Sequence, residues 1–194
     1  MRAVGRDEIM PLDAYEASRN EIRKGVLLAK QRRRVTAGGV LTFLFENTAT
    51  IRYQIQEMVR AEHMTRESDI EHELETYNEL LGGPGELGVS LLIEVPDVEE
   101  RDRRLREWLD LPRHLYLRLE SGEKVRPRYD ARQVGTDRLS SVQYLKFDVR
   151  GEVPVAAGAD LRGLSVEALL DPDQRQALSE DLRSGGPVES VTVP

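Results

Sequence analysis

Three histidines, His63, His72 and His114, and no cysteine bound the chemistry this sequence can carry. Without a thiol, disulfide scaffolds, thiolate zinc sites, cysteine-held iron–sulfur clusters and thiol nucleophiles are excluded together. His72, Glu75 and Glu79 recur at helical intervals that set an imidazole and two carboxylates along one ridge, a hard-metal set if Glu57 or Glu62 approached it. In so glutamate-rich a segment the same spacing also describes a solvated helix face, and the paired ExxH arrangement of di-iron bundles is missing. Metal binding is therefore an alternative reading, and no cofactor is expected.

Glu57 and Asp130 are the candidates for acid–base work, each with glutamines close by in the chain: Gln54 and Gln56 for the first, Gln133 for the second. Structural roles compete with that reading. A helical glutamate often pairs with arginine, and an aspartate after a strand often binds backbone amides in a turn. No GxSxG elbow is present. The GGPGE stretch at residues 82–86 lacks the lysine and hydroxyl of a phosphate loop and the spacing of a dinucleotide fingerprint, so it reads as a helix stop.

Basic residues form the more suggestive pattern. Lys30, Arg32, Arg33 and Arg34 make one run. In HLYLRLE-SGE-KVRPRYD, a three-residue turn pairs Leu119 with Val125 and Leu117 with Pro127, which puts Arg118, Arg126 and Arg128 on one strand face with Tyr116. Arg118 and Arg126 would then lie opposite each other and repel unless an anion or a carboxylate lies between them. Either the chain's own acids fill that gap, or an acidic partner or anionic ligand docks on Arg34, Arg118, Arg126 and Arg128. The net charge of −7 argues against nucleic acid as that partner. Residues 151–194 hold eight acidic and three basic side chains, so they carry −5 of that charge and leave −2 for the rest.

These residues need elements to hold them. Leu12, Tyr15, Ile22, Val26 and Ala29 mark a first amphipathic helix begun near Pro11. RRVTA and VLTFLFEN read as strands joined at Gly38-Gly39, whose freedom at positive φ suits a tight hairpin. Asn47 caps a second helix carrying Ile51, Ile55, Met58 and Val59, and a third runs from Arg66 to Leu81. VSLLIEV is a buried strand, Asp97 starts a short charged helix, and SVQYLKFDV is a last strand. The pattern predicts an α+β fold: a mainly antiparallel sheet of about five or six strands, packed with about three or four helices. After Gly151, glycine, alanine and proline increase and aromatics vanish. The chain divides on this reading into a core domain, 1–150, and an acidic extension, 151–194, with one short helix begun by Asp171-Pro172, and the extension is expected to be dispensable for folding. With no apolar leader or spanning run, a cytoplasmic location is expected.

The blocks DEIMPLDAYE, KQRRRV, LFEN, IRYQIQEMVRAE, YNELLGGPGEL, RYDARQ and SSVQYLKF, in that order, resemble an uncharacterised bacterial family, domain of unknown function 3501, over most of residues 6–150. The resemblance implies a gene neighbourhood shared with rubrerythrin-like proteins and iron–sulfur oxidoreductase subunits, and so a place in redox or oxidative-stress metabolism. It brings no catalytic residue with it. The reading favoured is a non-catalytic accessory or binding protein that docks its partner through the basic face. The alternative is a small enzyme or metal-binding protein using Glu57, Asp130 and nearby arginines.

Overall fold

The computed structural model describes residues 1–184. Helix α1 (Leu12–Gln31) leads into strands β1 (Arg34–Ala37) and β2 (Leu41–Glu46), followed by α2 (Thr48–Ala61) and α3 (Glu67–Asn78). Then come β3 (Glu86–Ile93), α4 (Val98–Glu107), α5 (Leu111–His114), β4 (Leu115–Arg118), β5 (Lys124–Val125) and β6 (Val142–Asp148). Strands β7 (Ala156–Leu161) and β8 (Leu164–Leu169) precede α6 (Pro172–Arg183). Gly38 and Gly39 turn the first hairpin at φ +60° and +70°. Asn47 caps α2 in a reciprocal pair: its side chain accepts from the Thr50 amide, and the Thr50 hydroxyl accepts from the Asn47 amide. No helix among the described residues is long and apolar enough to cross a membrane.

The fold is α+β and antiparallel throughout, but its strands form two sheets of four, ordered β1-β2-β3-β6 and β5-β4-β7-β8, in place of the single expected sheet. Alternation explains how they share a core. Phe43 and Phe45 of β2, Val89 and Leu91 of β3, and Leu145 and Phe147 of β6 face inward. They meet Leu115, Leu117, Ala157 and Ala159 of the second sheet in one apolar cluster. A smaller cluster joins Ile51 and Ile55 of α2 to Ile70 and Leu74 of α3, with Val4 and Ile9 of the amino-terminal arm beneath them.

The structure differs from the sequence reading at Gly151. The chain beyond it supplies β7, the strand between β4 and β8, and adds Ala157, Ala159, Leu164, Leu170 and Leu178 to the main core. Helix α6 is fastened by a buried ion pair. Arg33 donates from Nε to Asp181 Oδ2 at 2.6 Å and from Nη2 to Oδ1 at 3.0 Å, and Asn47 donates a third hydrogen bond to Oδ1 at 3.0 Å. Small residues conceal β7 in the sequence. Its Gly158 lies under the Tyr116 ring, where a Cβ would come within 2.8 Å of the phenol oxygen and 2.4 Å of the Val166 carbonyl.

The β4–β5 hairpin also differs in register. Leu117 pairs with Val125 and Arg118 with Lys124, not Arg126. The loop is longer than expected because Leu119 donates to the Glu123 carbonyl and accepts from the Gly122 amide, which folds a tight turn inside it. The shift is by two residues, so inward and outward faces keep the expected parity.

Candidate functional site

The expected basic face exists and is internally answered. On the outer side of the second sheet, Arg118 forms a two-point contact with Glu167 (3.0 and 2.8 Å), and Tyr116 donates to the same carboxylate at 3.0 Å. Arg126 grips Asp160 at 2.9 and 2.7 Å, with Lys124 on the same carboxylate at 3.0 Å. The Lys124 ammonium sits 4.1 Å from the Tyr116 ring centroid. Arg126, then Lys124, hold Asp160 far below the usual carboxylate range against desolvation, and burial with Glu167 lifts Tyr116 to about 12. The acids come from β7 and β8, so residues beyond Gly151 neutralise this face. Arg34 and Arg128 lie elsewhere: Arg34 is 3.9 Å from Glu94, and Arg128 is paired with Glu86.

Glu57 and Asp130 are each bound by arginine. Arg19 makes a two-point contact with Glu57 at 2.7 and 2.8 Å, and the Tyr15 hydroxyl donates to it at 2.5 Å. That arginine, assisted by Tyr15, keeps Glu57 down at about 2 although burial opposes it, which suits an ion-pair anchor between α1 and α2 better than a proton acceptor near neutrality. Exposed Asp130 accepts from the Arg132 amide and side chain at 2.8 Å, and Arg132 lowers its pKa. His72 and Glu75 on α3 and Glu79 just past its end are all exposed, and no three metal-ligating side chains converge among the described residues.

A different carboxylate has the character of a site. Thr42, Leu44 and Glu46 point to the outer face of β2, Gly88, Ser90 and Leu92 to that of β3, and Val142, Tyr144 and Lys146 to that of β6. The helical layer leaves part of this face uncovered, producing a cleft of about 470 Å³ between the sheet and helices α1 to α3. Glu46 lines it with only 7 % of its surface exposed. Its two oxygens each accept one hydroxyl hydrogen bond: Oε2 from Thr50 at 2.6 Å, Oε1 from Ser90 at 2.7 Å. Among the described residues no lysine, arginine or histidine nitrogen comes within ion-pair distance of it, whereas Asp181, the other strongly buried carboxylate, has an arginine. Two oxygens offer about four acceptor sites, so two remain unused.

Aromatic and apolar side chains complete the cleft. Tyr77 of α3 and Tyr144 of β6 stand at its rim, and Leu44, Leu80, Leu92 and Val142 form apolar walls. Burial first, then Tyr77 and Glu46, raise the Tyr144 phenol, which places these three polar groups in one field. Lys30 and Arg34 line the end formed by α1 and β1. Beyond Tyr77, Leu80 and Tyr144 the surface continues into a second hollow of about 700 Å³ lined by Arg128, Asp130 and Gln133. Gln133 fixes that segment to the edge of β6, donating to the Tyr144 carbonyl at 2.9 Å and accepting from its amide at 2.8 Å. Sequence reasoning misses Glu46, Ser90, Tyr77 and Tyr144. The available signal is a carboxylate ending an otherwise apolar strand, on the Thr42 and Leu44 parity.

Two packed antiparallel sheets, a helical flank and a cleft with a carboxylate on its floor define an α+β protein with a single shared core and a concave polar pocket. The chain belongs to the family described as protein of unknown function, DUF3501, whose model matches residues 3–182, through β7, β8 and most of α6. A crystal structure of a protein of unknown function from Burkholderia pseudomallei K96243 is similar, with a TM-score of 0.84 and 28 % identity, covering 93 % of this chain and all of that one. No curated protein matches.

Proposed function

We propose that this is a small-molecule-binding protein whose ligand occupies the Glu46 cleft. The observation that carries the reading is a buried carboxylate with unused acceptor sites, facing an apolar-walled hollow of ligand size, with no lysine, arginine or histidine nitrogen within ion-pair distance among the described residues. Convergence supports it as well. The cleft draws residues from KQRRRV, LFEN, IRYQIQEMVRAE, YNELLGGPGEL and SSVQYLKF, five separated blocks of the chain. Binding is favoured over catalysis because Glu57 and Asp130 are occupied by arginines. An accessory role in a redox system remains compatible with such a module, with the cleft rather than the basic face as its recognition surface.

Ligand-observed NMR with a library of small polar fragments tests the proposal, run on the wild type and on Leu92→Trp. The added indole fills the cleft from the sheet side. A set of fragments should bind the wild type and lose binding to the variant, with the melting temperature of the two proteins within a few degrees. Fragments that bind both proteins equally, or no binding at all, would overturn it.

A further inference from the structure

Resting on the reading of this cleft as a ligand site, we infer that its ligand is a small primary amine, bound as the ammonium ion on Glu46 with a short apolar body against Leu80, Leu92 and Tyr144. The first reason is electrostatic. A carboxylate withdrawn from water costs several kcal/mol unless charge or hydrogen bonds replace the lost hydration. Thr50 and Ser90 replace part of it, and Thr50 stands in the first turn of α2, where helix amides favour negative charge. The strongest replacement, an opposite charge within ion-pair distance, is absent among the described residues. A ligand ammonium supplies it.

Chemical class follows from what Glu46 can still accept. Both of its oxygens are held by hydroxyl donors, so an incoming group must donate, and a charged donor gains about twice what a neutral one does. A divalent metal fits poorly, because one carboxylate flanked by donating hydroxyls offers too few oxygen ligands. Ammonium suits the remainder of the cleft. Tyr77 and Tyr144 bring aromatic rings to the lining, groups that attract a cation over their faces, and Leu44, Leu92 and Val142 supply apolar wall for methylenes. Lys30 at the opposite end, beside an Arg34 already facing Glu94 at 3.9 Å, disfavours a second positive charge on the ligand. Glu46 lies two residues along β2 from Leu44, which pairs with Arg34 on β1, so the backbone positions of Glu46 and Arg34 are roughly 8 Å apart in a straight line at ordinary strand spacings, comparable to the length of a five-carbon diamine. Monoamines are therefore preferred to diamines of the same length.

Isothermal titration and amide chemical shifts decide it, using pentylammonium, 1,5-diammoniopentane, pentan-1-ol and pentanoate as probes. Pentylammonium should bind saturably and shift the Thr50, Ser90 and Tyr144 amides. The diamine should bind at least threefold more weakly, and the alcohol and carboxylate should show no saturable binding. Glu46→Gln should weaken pentylammonium at least tenfold, whereas Glu99→Gln, which removes an exposed carboxylate on α4 outside the cleft, should retain it. Both variants must keep the wild-type amide spectrum away from the cleft. Equal binding of pentanol and pentylammonium, or amine binding that survives Glu46→Gln, overturns the amine assignment while leaving the cleft a ligand site. No binding by any probe also overturns the amine assignment, and the cleft reading then stands or falls by the fragment experiment with Leu92→Trp.

Discussion

The two sheets turn opposite electrostatic faces outward. On the second sheet, Arg118, Lys124 and Arg126 meet Glu167 and Asp160 in a closed network over Tyr116. On the first, Glu46 is more deeply buried and among the described residues has only hydroxyl partners. Exposed pairs contribute little individually, because water already solvates each ion, and the pairing of this face leaves its basic side chains no unanswered charge to explain. A buried group without its counter-charge is the more informative observation, since folding alone gives no reason to keep it. Charge counted along the chain points to the basic face of the second sheet; charge counted after pairing points to the cleft on the first.

The largest test of the contrast removes one face altogether. Ending the chain at Gly151 deletes β7 and β8, takes away Asp160 and Glu167, and exposes Leu115 and Leu117 of β4. The truncated chain should show no cooperative thermal transition by circular dichroism. A sharp melt close to that of the full chain would restore residues 151–194 to the status of an appendage.

Asp181→Ala ranks next. It leaves the Arg33 guanidinium buried at the junction of β1, α2 and α6 without a carboxylate, an arrangement that typically costs about 3–5 kcal/mol. Urea denaturation should register a drop of that order. A loss under about 1 kcal/mol would mean that water or another acid replaces Asp181.

The same contrast separates what residues in order reveal from what they hide. The Gly38-Gly39 hairpin, the Asn47 cap and the Asp171-Pro172 helix start are legible because each depends on local chemistry. Strand β7 is not, because AAGADL has no apolar–polar contrast and owes its place to Gly158 admitting the Tyr116 ring. In the β4–β5 hairpin, parity is legible and register is not, since the turn hydrogen bonds of Leu119 fix the loop length. For the site, the basic residues are visible, but their partners on β7 and β8 lie tens of residues away. Glu46 carries no motif: Ser90, one of its two donors, is 44 residues distant.

Arg126→Glu is a smaller perturbation that tests whether the second sheet's face is closed. It strips two hydrogen bonds from Asp160 and one from the His114 carbonyl, and sets two carboxylates beside Lys124. The side chain is partly exposed, so the loss should be about 1 kcal/mol, a few degrees in melting temperature, and should shrink as salt screens the new repulsion. An unchanged melt combined with salt-sensitive capture of an acidic protein by the wild type alone would reopen the docking face.

The smallest expected effect is the most discriminating. Glu46→Gln preserves shape and removes the charge, and the Thr50 or Ser90 hydroxyl can rotate to accept from the new amide. If Glu46 belongs to the folding machinery, as Asp181 does, the substitution should cost about 2 kcal/mol or more, because hydrogen bonds to a buried ion are strong. If its charge is held ready for a ligand, the desolvation removed offsets the hydrogen-bond strength lost, and stability at pH 7 should change by no more than about 0.5 kcal/mol. The expected result is therefore a urea midpoint close to that of the wild type, measured without ligand. It should stand beside the large drop for Asp181→Ala, although both substitutions remove a buried carboxylate. The two positions differ in one respect that matters here: Asp181 has its cation within the chain, and Glu46 has none among the described residues. Equal losses at the two sites would assign Glu46 to the core and leave the cleft without its anchor.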